Sequence, residues 1–232
     1  MPNLKTWILI LLMATIQGSW AQSLTPQARK KLDNDIRYLV GQQSGFADIA
    51  VAVVDSQGVV SQVNGSRLFP LASVFKLPLM LAVLKKQEEG KFPSAGSTLT
   101  VTTSDQCIGS GTLAKQGVGA TVSVDKALRL MMSISDNTAT DLLFRNLGTA
   151  TLDPWLASLG FKNSEIILTN RQAWLLSLGK VPGWGRSTPE ERVRAWEKLD
   201  RAGRLNLAEK IESQARSLTL SQFQAIEDAS TG

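Results

Sequence analysis

The chain has 232 residues, 43% of them hydrophobic and 19% charged, a balance typical of folded domains and far from disordered or fibrous compositions. Its formal charge of +5 comes with no basic tract, which argues against nucleic-acid binding. It contains no histidine, which excludes a Ser-His-Asp triad, a Cys-His dyad and a His-ligated zinc site, and its single cysteine, Cys107, excludes an intrachain disulfide.

Met1 to Gln22 combines Lys5, an apolar run from Trp7 to Ile16, and the small residues Ser19 and Ala21. This is the pattern of a signal peptide cleaved after Ala21, so the expected mature domain is 22–232, in a secreted or periplasmic location. The run is short for a membrane span, and no later stretch is long and apolar enough to be one. Thr25-Pro26 opens an expected helix carrying Ala28, Leu32, Ile36 and Leu39 at helical spacing. Ala47 to Asp55 reads as a buried strand, Ser56 to Gly58 as a turn and Val59 to Val63 as the returning strand of a hairpin. An apolar helix follows from about Ser73 to Gln87, stopped by Gly90. Thr98 to Leu113 is expected to be irregular. Helices are expected at Ser123–Met132, with Leu128, Met131 and Met132 on one side, at Asn137–Leu147 and at Leu152–Leu159. Leu178 to Glu191 is a loop by its glycines and prolines, and Thr188 to Glu191 reads as a capping box. Charged helices are expected over Glu190–Ala202 and Leu207–Gln224. Two strands alone make no stable sheet, so either the helices cover them unusually well or further strands belong to the fold.

Within "FPLASVFKLPLM", Ser73 and Lys76 are the strongly polar side chains of an otherwise apolar segment. At the start of a helix, residues three apart share a face, so the hydroxyl and the amine can touch. A desolvated lysine has a lowered pKa and can take a proton, a route to an activated serine without histidine. S-x-x-K occurs three times in this chain. Ser123 to Lys126 reads as a helix cap, and Ser177 to Lys180 enters a loop through Gly179; only Ser73 and Lys76 sit in apolar sequence. A second group, Ser135-Asp136-Asn137, falls between two expected helices. Its structural use is a turn with an Asx cap. Its functional use is a hydroxyl at Ser135 that relays a proton and an amide at Asn137 that serves lysine and substrate.

S-x-x-K at Ser73 followed 62 residues later by S-D-N at Ser135 resembles the penicillin-recognising serine enzymes, class A β-lactamases above all. The resemblance spans about Asp48 to Leu168. It implies an α/β (α+β) fold of the β-lactamase/transpeptidase type, a helical subdomain with an antiparallel sheet that is incomplete in this chain. It also implies that Ser73 is the nucleophile toward a β-lactam or D-alanyl-peptide-like substrate. Lys76 helps deprotonate it, Ser135 relays the proton to the leaving nitrogen, Asn137 helps hold the substrate amide, and no cofactor or metal is used. The Ser73 N–H would form half of an oxyanion hole.

The chain departs from that family in two places. The family's omega-loop E-x-x-L-N is missing from "NSEIILTNRQAWLLSLG", where alignment from Gly160 sets Asn170 near the glutamate's place. Glu165 is a substitute by sequence nearness alone, and Arg171 to about Gln224 reads as an insertion. The family's K-[TS]-G strand is absent, and "EDASTG" at 227–232 resembles the stretch after the omega loop, so the expectation is a C-terminally truncated domain. Three readings stand: a β-lactamase-type hydrolase, a penicillin-binding enzyme or sensor that stays acylated, and a non-catalytic envelope-binding relic. Oligomeric state is left open, and Cys107 is read as a buried small residue without a role.

Overall fold

A computed structural model describes residues 24–231 apart from 44, 46–47, 57, 68, 162–163 and 180–186. The expected leader and the middle of the 178–191 loop lie outside the described residues. The chain divides into two compact units that meet in sequence at Pro70 and Leu71.

In the first unit, α1 (Pro26–Gln42) starts as expected, with Thr25 Oγ1 accepting from the Ala28 N–H at 3.2 Å and proline in the first turn. β1 (Val51–Asp55) and β2 (Gly58–Val63) form an antiparallel hairpin, Val51 opposite Val63 and Asp55 opposite Gly58, with a register shift between Val53 and Val54. β1 begins four residues later than expected and is not buried on both faces; Val54 is 64% exposed. A two-stranded ribbon under one helix has only one covered face. For the same reason Leu39, expected on the apolar stripe of α1, is exposed. Arg29 pairs with Asp55, and Ser61 Oγ donates to Asp33 at 2.7 Å, tying α1 to the hairpin.

The second unit holds the 3-10 turn Ala72–Phe75 running into α2 (Lys76–Glu88), then β3 (Thr98–Thr100) paired antiparallel with β4 (Thr121–Ser123). α3 (Val124–Ser133), α4 (Asn137–Leu147), α5 (Thr149–Ser158), α6 (Asn170–Ser177), α7 (Pro189–Lys198), α8 (Arg201–Ala215) and α9 (Leu220–Thr231) follow. The β3–β4 pair escapes sequence reading because three residues are too few to show a period. α6 escapes it because its buried face includes Arg171 and Gln172, which no apolar stripe would mark. Met132, expected beside Leu128 and Met131, is 43% exposed while those two are buried. The expected helices over 190–202 and 207–224 are divided differently. Leu199 is extended and Asp200 caps α8 by accepting from the Gly203 N–H at 2.7 Å, and Thr219 accepts from the Gln222 N–H to open α9. The Thr188–Glu191 capping box is present.

Two apolar clusters organise this unit. The larger joins Leu79 and Val83 of α2, Leu128 and Met131 of α3, Leu142 and Phe144 of α4, and Leu152 and Leu156 of α5. The second joins Cys107 and Ile108 with Leu175 of α6, Ile211 of α8 and Phe223 of α9. The segment expected to be an insertion therefore shares an apolar core with the loop at Cys107 and Ile108. α4 belongs to the first cluster and the loop at 107–108 to the second, so the junction between them is where the S-D-N turn lies.

Candidate active site

The site is assembled by α2, the turn between α3 and α4, and the loop from Cys107 to Leu113. Ser73 is exposed, in the turn before α2. Its neighbour Ala72 has φ +43°, and Ser135 has φ +57°. Such left-handed backbone costs a non-glycine residue about 1–3 kcal/mol and persists where surrounding contacts impose it.

Lys76 lies within the apolar base of α2 and is 2% exposed. Its amine donates to the Ser135 carbonyl at 2.7 Å, to Ser135 Oγ at 2.7 Å and to Asn137 Oδ1 at 2.9 Å. These use all three hydrogens of an ammonium group. The expected direct contact between Lys76 and Ser73 is replaced by a relay: Ser135 Oγ stands between them, donating to Ser73 Oγ at 3.0 Å. Residues three apart on a 3-10 turn share a face, so Ser73 and Lys76 both face Ser135 Oγ, which contacts each of them. Burial pulls the Lys76 pKa below the ordinary lysine value, against the opposing charges of Asp141 and Asp136.

The S-D-N group makes the expected Asx cap, and Ser135 and Asn137 on either side of it both reach Lys76. Asp136 caps α4, with Oδ1 accepting from the Ala139 N–H at 2.9 Å, while Oδ2 accepts from the Thr112 and Leu113 N–H groups at 2.6 and 2.8 Å. Asn137 turns Oδ1 to Lys76 and donates through Nδ2 to the Ile108 carbonyl at 2.9 Å. The Cys107 N–H donates to Thr138 Oγ1 at 3.0 Å. The loop from 107 to 113 is thus strapped along the turn, residue by residue. Gly111 shows how close the approach is: its φ is +115°, and a Cβ there would lie 2.6 Å from the Asp136 Cα. Gly111→Ala is expected to destabilise the protein by about 2–5 kcal/mol, from backbone strain and collision together, as read by chemical denaturation.

Beneath the site Asp141 is fully buried on α4. Its carboxylate accepts from the Asn170 and Arg171 N–H groups at 2.7 and 2.8 Å and from Asn170 Nδ2 at 3.0 Å, pinning the start of α6. Burial outweighs these donors and pushes its pKa up to about 7. Burial likewise pushes the Cys107 thiol up, consistent with an inert packing residue. Asn170, Ala173, Trp174 and Ser177 line an open cleft of about 270 Å³ on α6. Glu165 forms an ion pair with Arg204 at 2.5 Å, and Glu191 closes the capping box of α7. Sequence reading missed the strap, Asp141 and α6. Only the glycines at 109 and 111 hinted at a close backbone approach. Among the described residues no three His, Cys, Asp or Glu side chains converge to hold a metal ion, and no helix is long and apolar enough to cross a membrane.

Residues 31–225 match the model of the Beta-lactamase enzyme family, and the chain belongs to that family. The β-lactamase PSE-4 of Pseudomonas aeruginosa is 32% identical over 139 residues, which make up 59% of this chain and 47% of the relative. The extended-spectrum β-lactamase PER-1 of the same organism is 28% identical over 167 residues, 70% of this chain and 52% of the relative. The chain thus spans about half the length of the curated relatives it matches. Among solved structures, a β-lactamase from Sphaerobacter thermophilus superposes with a TM-score of 0.53 at 25% identity, over 69% of this chain and 65% of that one. PBP-A does so with a TM-score of 0.53 at 26% identity, over 72% and 67%. The fold is that of the β-lactamases and penicillin-binding proteins, largely helical α+β, with two small antiparallel ribbons among the described residues.

Proposed function

We propose that this chain is a serine acyl-transfer enzyme of the class A β-lactamase kind, acylated at Ser73 by β-lactams or D-alanyl-peptide-like amides. The observation that carries the reading is the hydrogen-bonded chain from Ser73 through Ser135 to a buried Lys76. A neutral amine has two hydrogens and one lone pair. When Lys76 is neutral, its hydrogens remain on the Ser135 carbonyl and Asn137, and the link to Ser135 Oγ reverses. The Ser73 proton passes to Ser135 and the Ser135 proton to Lys76 as Ser73 Oγ attacks the carbonyl carbon. When the C–N bond breaks, the chain runs back and the proton reaches the leaving nitrogen through Ser135. The product is an ester on Ser73 with the ring opened or the amine released. The second hydrogen on Asn137 Nδ2 would serve the substrate carbonyl.

Release of the acyl group requires a base for water. Glu165 is paired with Arg204, Glu191 caps α7 and Asp141 is held by the start of α6. Asn170, at the place expected for the glutamate, is an amide that donates to Asp141. These engagements favour a persistent acyl-enzyme, the penicillin-binding or sensor form of the reading. The test is intact mass after brief exposure to benzylpenicillin, followed by peptide mapping. We expect an increase of one penicillin on Ser73 that decays slowly. Rapid decay would restore the turnover reading, and no adduct would leave the relic reading. Export belongs to the same proposal, supported by the residues before Gln22. A protein from the host envelope whose N-terminus is Gln22 would support it, and an intact Met1 in the cytoplasm would overturn it.

A further inference from the structure

We infer that Ser110 is a positioning residue for Ser135: its hydroxyl holds residue 135 in the left-handed backbone that keeps Ser135 Oγ between Ser73 and Lys76. The inference rests on the acyl-transfer reading of the site. The Ser135 carbonyl accepts two hydrogen bonds, one from Lys76 Nζ and one from Ser110 Oγ, both at 2.7 Å. The Ser110 carbonyl in turn accepts from the Asn137 N–H at 3.0 Å. One residue therefore grips the turn on both sides of Asp136, by side chain at 135 and by main chain at 137.

Ser110 is exposed, so its contribution is not apolar packing. It lies between glycines with φ of +90° and +115°, and the Asp136 carboxylate anchors the chain just beyond by accepting from the Thr112 and Leu113 N–H groups. Ser135 at φ +57° needs such restraint. Lys76 keeps its bond to the Ser135 carbonyl in both protonation states of the proposed reaction, but the same amine must also reverse its link to Ser135 Oγ and take up and return a proton. Ser110 has no such duty. Its hydrogen bond keeps the Ser135 carbonyl satisfied and the relay hydroxyl in line whichever form the lysine takes.

The test compares the wild-type chain with Ser110→Ala and Ser110→Thr. The readouts are the rate of Ser73 acylation by benzylpenicillin, the thermal midpoint, and crystal structures. Loss of one hydrogen bond worth about 1 kcal/mol should slow acylation about five- to tenfold in the alanine variant. The thermal midpoint should change little. Threonine, which keeps the hydroxyl, should restore the rate, and the alanine variant should show Ser135 Oγ displaced from the line between Ser73 and Lys76. Wild-type acylation by the alanine variant, or a threonine variant as slow as alanine, would overturn the assignment. Absence of an adduct in the wild-type chain would instead remove the acyl-transfer reading. The structure of the alanine variant then decides the positioning claim separately, and an unmoved Ser135 sinks it.

Discussion

Ser73→Ala should give no penicillin adduct at all, while its thermal midpoint stays near that of the wild-type chain. The proposal leaves no other nucleophile on the relay: Ser135 is bound to Lys76 and to Ser73, and Cys107 is 3% exposed with its thiol pushed up by burial. The fold should tolerate the change because Ser73 is exposed and its hydroxyl accepts a hydrogen bond from Ser135, which can turn to water instead. Surface changes of this kind shift stability by about 0.5 kcal/mol or less. An adduct of unchanged mass in the variant would mean that another side chain is acylated, and the whole assignment would fall.

Lys76→Met should slow acylation by about 10²- to 10⁴-fold, the usual worth of a positioned acid–base group. Methionine is close to lysine in length and removes a buried charge, but it leaves the buried Asn137 Oδ1 without its donor, so a loss of about 1–3 kcal/mol in stability is expected beside the loss of rate. Ser135 and Asn137 lose a shared partner, so the structural cost falls at the site and not in the core. Wild-type acylation should rise with pH, because the proposed step needs the neutral amine, and should reach half its maximum below 10.5, the ordinary lysine value. Lys76→Met should lack that limb. The effect on stability has a definite sign. A lysine whose folded pKa is depressed binds fewer protons than the unfolded chain between its folded value and 10.5. Its contribution therefore rises with pH across that window. A wild-type profile that is flat over the same range would refute the role given to Lys76.

Much of the local architecture follows from short sequence signals, because each is settled within one turn of chain. Thr25-Pro26 starts α1, Thr188 with Glu191 starts α7, and α4 runs from Asn137 to Leu147 with Gly148 at its end, as its sequence predicts. The S-x-x-K and S-D-N groups are likewise legible, and with them the family to which the chain belongs. The limits of such reading appear at Asp200 and Thr219. Both are polar residues within a charged stretch, where a cap and an exposed helical position look alike.

By itself, then, the sequence determined which side chains are available for chemistry. Without histidine, an activated serine depends on another base, and Lys76 is the amine set in apolar sequence. Only the tertiary structure decided how those side chains are wired. Lys76 reaches Ser73 through Ser135, and Ser110, Asp136 and Asn137 lace the strap to the turn through bonds between residues 23 to 29 apart in the chain. α6 is held by Asp141 and by Arg171, whose guanidinium donates to carbonyls 47 and 65 residues away. The physical reason is that, beyond the side-chain links from Lys76 through Ser135 to Ser73, these partners are main-chain groups. Every residue carries the same carbonyl and nearly every residue the same N–H, so no letter of the sequence marks which one a buried side chain will find.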